Sequence, residues 1–316
     1  MSAVVSVPCH PGPSEPLYDG LLARCAACGL VRTAGHLRVA YEASYFTAEG
    51  TGGYDFEGAF ARARDDARFG AELDRLEGLG LRGSVLDVGC ATGAFLARAK
   101  ARGWTVAGVE VADYARSVTS ERLGVAIPAS LAGLPAGARF DVVTLHHVLE
   151  HVADPGAFLQ GEILPRVGRR LLVEVPNFDA LAARRHGTRW RDLRPDQHLF
   201  HFTRRTLPPL LRRAGLVPVA VYTLWEPLWS LRTALDVLAQ LPALAARPSA
   251  PRAAPGAGPG TAAVHDVSGW TPPRGPRRAA IEVSRVAFRP LVWALERAGL
   301  GERLVVEAVP AEARAP

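Results

Sequence analysis

Between residues 84 and 223, short apolar runs of strand character alternate with segments of helical period. This alternation predicts an α/β protein whose open sheet is built from parallel strand–helix–strand units. Two further observations support that class. The first apolar run passes directly into a glycine-rich turn and then a helix, Val85-Leu-Asp-Val-Gly-Cys-Ala-Thr-Gly-Ala-Phe95, and the helical segments repeatedly close on glycine.

The elements follow in order. Residues 1–55 show little periodicity; they carry three of the four cysteines and most of an aromatic-rich stretch, Tyr41, Tyr45, Phe46, Tyr54 and Phe56. They are expected to form a small N-terminal cap. Residues 57–79 read as one amphipathic helix, with Phe60, Ala63, Ala67, Phe69, Leu73 and Leu76 along one stripe. Strands are then expected at 85–89, 105–110, 140–147 and 169–176, separated by helices at 95–103, 113–124 and 155–167. Thr206 to Gly215 reads as a helix whose Pro208 and Pro209 fall in the first turn, where amide protons have no partner to lose. A strand at 216–223 follows. Residues 225–245, with Trp225, Leu228, Trp229 and Leu235, predict an apolar helix. The Pro/Ala/Gly-rich stretch from 247 predicts a linker to about 278. A helix at 279–298 and a strand at 301–309 close the chain. The domain expectation is a cap over 1–55, a core of 56–224 plus 300–310, and a helical insertion over 225–299.

Composition narrows the function. The chain has 316 residues, 48% hydrophobic, enough for a large core. Its best apolar stretch, 224–246, is interrupted by Glu226, Arg232 and Asp236, so no spanning helix is expected, and the N-terminus lacks the charged and apolar regions of a signal peptide. The formal charge of +6 is arginine spread along the chain, so nucleic acid is not expected as a partner. Four cysteines, three of them before residue 29, do not make a disulfide framework and suit a reducing, cytoplasmic setting. Cys25-Ala-Ala-Cys28 is half of a zinc knuckle; Cys9 and either His10 or His36 are the candidates for the other half.

The turn at 89–93 carries the function. Gly89 and Gly93 allow a tight turn and close approach of a ligand, and the next helix offers free amides. Glu110 ends the following strand, where a carboxylate can accept both hydroxyl hydrogens of a ribose. A dinucleotide turn needs G-x-G-x-x-G; here the spacing is D-x-G-x-x-x-G, and Asp87 before the turn repels a pyrophosphate but attracts an ammonium group. S-adenosylmethionine, a phosphate-free nucleoside with an ammonium, fits better than NAD.

The segments VLDVGCATGAF (85–95), GVEVADYA (108–115), FDVVTLHHVLEHVADP (140–155) and LLVEVPN (171–177), taken together, resemble the successive motifs of class I S-adenosylmethionine-dependent methyltransferases. The resemblance implies a Rossmann-like sheet of seven strands in the order 3-2-1-4-5-7-6, with strand 7 antiparallel. It implies a cofactor held by Asp87, Gly89, Cys90, Ala91 and Gly93, with Glu110 on the ribose. Val111 would pack on the adenine, and the loop near Ser130 and Leu131 would edge it. Apart from the resemblance, His146 and His147 end the strand 140–147, whose carboxyl end faces the ligand crevice, and so are expected near the transferred methyl. HLFHFT (198–203), with the cysteine-bearing N-terminus, is similar to a subset that includes sugar C-methyltransferases, and places His198 and His201 toward the acceptor. His147 is a further candidate. A neutral histidine could take a proton from the acceptor near pH 7. The expected partner is a small-molecule acceptor, its identity and the oligomeric state left open. The competing expectation is a cofactor-binding scaffold whose apolar C-terminal helices meet a membrane surface or another chain.

Overall fold

The structure, a computed structural model, describes residues 12–35, 43–46, 59–225 and 275–314. The central sheet is built from β4 (Ser84–Val88), β5 (Thr105–Val109), β6 (Phe140–His146), β7 (Val167–Pro176), β9 (Leu216–Leu224) and β10 (Arg303–Pro310). Its order is β5-β4-β6-β7-β10-β9. The first four strands are parallel, and β10 runs antiparallel to both neighbours. The sequence requires this: β4, β6 and β7 are near-continuous apolar runs, as strands covered on both faces must be.

Among the described residues the sheet has six strands, where the resemblance implied seven. The missing one is the outer strand beyond β5. Residues 125–130 pass alongside β5, and Glu110 N donates to Pro128 O at 3.1 Å. Pro128 itself has no amide to donate, and Leu131–Gly133 then turn as a short 3-10 helix, so no ladder forms.

On one face, α2 (Ala59–Gly78) sets Phe69, Leu73 and Leu76 against Phe95 and Leu96 of α3 (Ala94–Ala101). These three are the later part of the stripe expected from the sequence; Ala67, expected on it, is exposed, and the side chains of Phe60 and Ala63 lie outside those described. α4 (Asp113–Leu123) closes on Gly124 in the left-handed region. α5 begins as Pro155–Ala157 and widens into a π-helical turn over Phe158–Ile163. With α7 (Leu207–Arg213) it covers the other face. The last helix, α8 (Gly275–Arg297), begins inside the stretch expected to be linker. Of the helix expected over 225–245 and the linker expected to about 278, residues 226–274 lie outside the described residues.

The N-terminal region has more order than its sequence suggests. β1 (Ser14–Leu17), β2 (Leu22–Cys25) and β3 (Val31–Thr33) form an antiparallel sheet whose fourth strand is β8 (Phe200–His201), contributed by the HLFHFT segment. Val31 pairs with His201 and Arg32 with Phe200. These strands are three or four residues long, too short for alternation to be read from sequence. α1 (Ala43–Phe46) sits apart, its Phe46 ring against Tyr114 of α4.

Candidate active site

The carboxyl ends of β4 to β7 open into a cleft of about 790 Å³. In an open α/β sheet this edge is where ligands sit. The glycine turn forms its floor. Gly89 and Gly93 have φ of 74° and 78°, and Ala91 is also left-handed at 46°. A Cβ on Gly89 would lie 2.6 Å from Val148 Cγ2, and one on Gly93 2.7 Å from Thr119 Cγ2. Both conformation and space demand glycine there.

Glu110 lies at the end of β5 and is buried. Its Oε2 accepts from Ala91 N and its Oε1 from Ala112 N, both at 2.9 Å. Each carboxylate oxygen keeps lone-pair capacity for one more donor, as two vicinal hydroxyls would supply. Burial pushes its carboxyl upward, and the backbone amides oppose this. Cys90 is buried beneath the turn. Desolvation, with the charges of Asp87 and Glu110, pushes its thiol far up, which removes it as a nucleophile. Val111, Ser130 and Leu131 line the same end, with Tyr45 and Phe46 across from them.

Asp87 faces Thr144 across the β4–β6 register, and Thr144 Oγ1 donates to its Oδ1 at 2.7 Å. His146 Nδ1 lies 3.1 Å from the same oxygen, and its Nε2 lies 3.0 Å from Glu72 of α2. The His146 ring packs between Phe69 and Phe95. Burial alone would lower its pKa, but the two carboxylates raise it to about 10. His146 is therefore an imidazolium bridging two carboxylates. Asp87, His146 and Glu72 together carry one net negative charge, so this end of the cleft still favours a cation.

The three histidines expected near an acceptor have different environments. His147 is left-handed, φ 55°, which turns it away from the strand. Its Nδ1 lies 3.2 Å from Glu150 Oε1 and its Nε2 3.1 Å from Glu174 Oε1. Burial lowers its pKa, and the bonds to the two carboxylates raise it further, so the net shift is toward the imidazolium. That makes it a poor base. His201 does not line the cleft. Thr33 has one hydroxyl proton, which it gives to His198 O at 2.6 Å, so His201 Nε2, 3.0 Å from Thr33 Oγ1, must be the donor there. Burial lowers its pKa to about 3. It is a structural histidine of the small sheet. His198 does line the cleft. Its Nδ1 lies 2.9 Å from the Asp192 carbonyl, which can only accept, so the proton is on Nδ1 and the lone pair on Nε2. Burial, with the neighbouring His151, holds its pKa well below the usual value.

The sequence analysis missed Glu174, on β7 and opposite His146 in the sheet register. It is fully buried between Arg68, Arg303 at 3.1 Å, and His147. Burial alone would raise its carboxyl, but Arg303 and Arg68 hold it well below the usual range. A glutamate inside the apolar run Leu-Leu-Val-Glu-Val was the available signal, because such a strand position is filled by a charge only when partners wait for it.

Of the proposed zinc ligands, Cys9 and His10 lie outside the described residues. Cys25 ends β2 and Cys28 lies in the turn that leads to β3. Among the described residues no third histidine, cysteine or carboxylate joins them, so zinc there has no support. No described helix is long and apolar enough to cross a membrane.

The family model for a methyltransferase domain matches residues 60–221, just over half of the chain. The chain belongs to the methyltransferase-domain family. The resemblance to class I S-adenosylmethionine-dependent methyltransferases therefore holds, while the likeness to sugar C-methyltransferases gains no support. Solved structures include a SAM-dependent methyltransferase from Archaeoglobus fulgidus, 19% identical over 81% of this chain and 96% of that one, TM-score 0.47. A SAM-dependent methyltransferase from Thermotoga maritima, described as a possible histamine N-methyltransferase, is 16% identical over 78% of this chain and 91% of that one, TM-score 0.46. The 1,6-didemethyltoxoflavin N1-methyltransferase of Burkholderia thailandensis, with bound S-adenosylhomocysteine, is 20% identical over 63% and 89%, TM-score 0.41. At these values the structural likenesses carry no argument about substrate. No curated protein sequence matches the chain.

Proposed function

We propose that this methyltransferase binds S-adenosylmethionine between the 89–93 turn and Glu110 and transfers its methyl group to a small molecule entering past His198. The observation that carries this reading is the Glu110 carboxylate, fixed by two backbone amides at the end of β5 with one acceptor site left on each oxygen. The ribose hydroxyls would take those sites, and the ammonium would face the acidic Asp87–His146–Glu72 group. The chemistry asks little of the protein beyond alignment, since a sulfonium is already a good leaving group. Of the histidines expected as bases, His198 alone combines a place on the cleft wall with a lone pair on Nε2. We therefore assign it to the acceptor end.

Titration calorimetry with S-adenosylhomocysteine tests the reading. One site per chain is expected, with no comparable heat from NADH. Binding of the dinucleotide and not of the nucleoside would overturn it.

A further inference from the structure

At the acceptor end of the cleft, Glu150 and His151 lie on the short turn Leu149–His151 that follows β6, and His198 lies on the segment running into β8. Leu199 N donates to Glu150 O at 2.8 Å and ties the two segments together. One carboxylate oxygen of Glu150 and one ring nitrogen each of His151 and His198 lie within 4.8 Å of one another. The two imidazole rings meet edge to face at 4.8 Å.

The protonation pattern is that of a ligand set. His151 Nδ1 lies 3.0 Å from the Gln197 carbonyl and His198 Nδ1 2.9 Å from the Asp192 carbonyl. A carbonyl can only accept, so both rings carry a proton on Nδ1, which leaves Nε2 as the nitrogen that can ligate. Metal-binding histidines are oriented in this way, by a backbone carbonyl on the far nitrogen. A second, independent observation points to a missing cation. Glu150 is fully buried, and its Oε2 has no hydrogen-bond partner; the buried Gln197 Oε1 beside this cluster has none either. Two orphaned acceptors in one corner are costly unless something positive or protic meets them.

We propose that Glu150, His151 and His198 bind a divalent transition-metal ion whose open coordination positions face the acceptor. One carboxylate and two imidazoles suit zinc, cobalt, iron(II) or manganese better than magnesium or calcium, which prefer all-oxygen sites. Donors around a tetrahedral ion with bonds near 2.1 Å stand ~3.4 Å apart, so loading draws the three side chains inward by rotation about their χ angles. The role given to the ion rests on the methyl-transfer reading: it would take a hydroxyl or phenol oxygen of the acceptor. Bound there, the oxygen loses its proton to solvent water near neutral pH. Its lone pair then forms the new O–C bond as the C–S bond breaks, and the electron pair of that bond stays on sulfur. His198 thus acts through the ion and not as a direct base, since coordination and proton acceptance compete for the same lone pair.

The test is a Co²⁺ titration of the full chain after chelator treatment, in a Cys25→Ser/Cys28→Ser background so that those thiolates contribute nothing. The expected result is one Co²⁺ per chain, with visible d–d bands and no thiolate charge-transfer band. Affinity should fall at least tenfold in Glu150→Gln and in His198→Ala. S-adenosylhomocysteine binding is measured on each variant to confirm that it folds. Should a variant fail this check, paramagnetic perturbation of the His151 and His198 ring resonances by Co²⁺ in the parent protein gives the same answer. No saturable Co²⁺ binding, or binding indifferent to both substitutions, overturns the proposal. Co²⁺ bound without S-adenosylhomocysteine would leave the metal site standing and overturn the cofactor reading instead. Nucleoside binding with chelator-insensitive turnover would do the reverse.

Discussion

Glu110 holds its place through two amide hydrogen bonds, so its loss should be felt in binding and not only in chemistry. Hydrogen bonds to a charged group are each worth about 1.5–3 kcal/mol. Glu110→Ala is expected to weaken S-adenosylhomocysteine binding at least about tenfold, read by calorimetry, since ~1.4 kcal/mol is one decade. Gly89→Ala adds a Cβ 2.6 Å from Val148 Cγ2 at a left-handed φ. It should destabilise the protein by about 1–3 kcal/mol in urea unfolding. The buried histidines give stability a pH profile. His146, about 10 in the folded state against an ordinary 6.5, contributes fully below pH 6.5 and loses that contribution as pH rises toward 10. His201, about 3 against 6.5, works the other way. The unfolded chain binds more protons between those values, so stability falls as pH drops through them. Glu174 adds to the acid loss, because its depressed carboxyl stabilises the fold only while ionised. Tm should fall on both sides of neutrality, and His146→Gln should flatten the alkaline side. An unchanged alkaline limb in that variant would contradict the bridged imidazolium.

At the scale of elements, two strands do more than complete a sheet. β10 enters antiparallel and brings Arg303 to Glu174 and Glu307 to Arg75, Arg170 and Tyr222. Glu307 is fully buried, and its removal takes the carboxylate partner from part-buried Arg170 and from the Tyr222 hydroxyl. Glu307→Ala should cost about 3 kcal/mol, at the low end for a broken buried pair because Arg75 is half exposed and can return to water. β8 belongs to the small N-terminal sheet, and through Thr33 that sheet grips the backbone that carries His198. Thr33→Val removes the bond to the His198 carbonyl and leaves His201 Nε2–H without its acceptor. The expected outcome is a raised KM for the acceptor with cofactor affinity unchanged. Equal losses for both ligands would mean general unfolding instead.

For the whole molecule, the cleft divides into two ends of different electrostatic character. The end formed by β4 and β5 is acidic, with Glu110 bound to backbone amides and Asp87 to Thr144 and His146. The end formed by the turn after β6 and the loop before β8 carries the His151 and His198 imidazoles and the unpartnered acceptors Glu150 Oε2 and Gln197 Oε1. A ligand that binds only the folded state should raise Tm, by about 2.7 kcal/mol of stability at a hundred times its Kd. S-adenosylhomocysteine is expected to do this. NADH at the same concentration should not.

The sequence by itself determined the alternation of strands and helices, the glycine turn and the carboxylate one strand over. These are local: a turn needs glycine because of its own φ, and a strand end is visible in its own run of apolar residues. It also located the histidine-rich segments, because their residue types are rare. Only the tertiary structure decided which histidine does what. His146, His147, His198 and His201 look alike in a sequence, yet one is clamped between carboxylates, one bridges two others, one bonds a threonine on the neighbouring strand of the small sheet, and one keeps a lone pair on the cleft wall. Those differences come from Glu72, Glu174, Thr33 and Asp192, most of them remote in sequence. The outer strand expected beyond β5, not formed among the described residues, and the short N-terminal strands had the same cause. Pairing depends on a partner's edge being available, and no single segment records that.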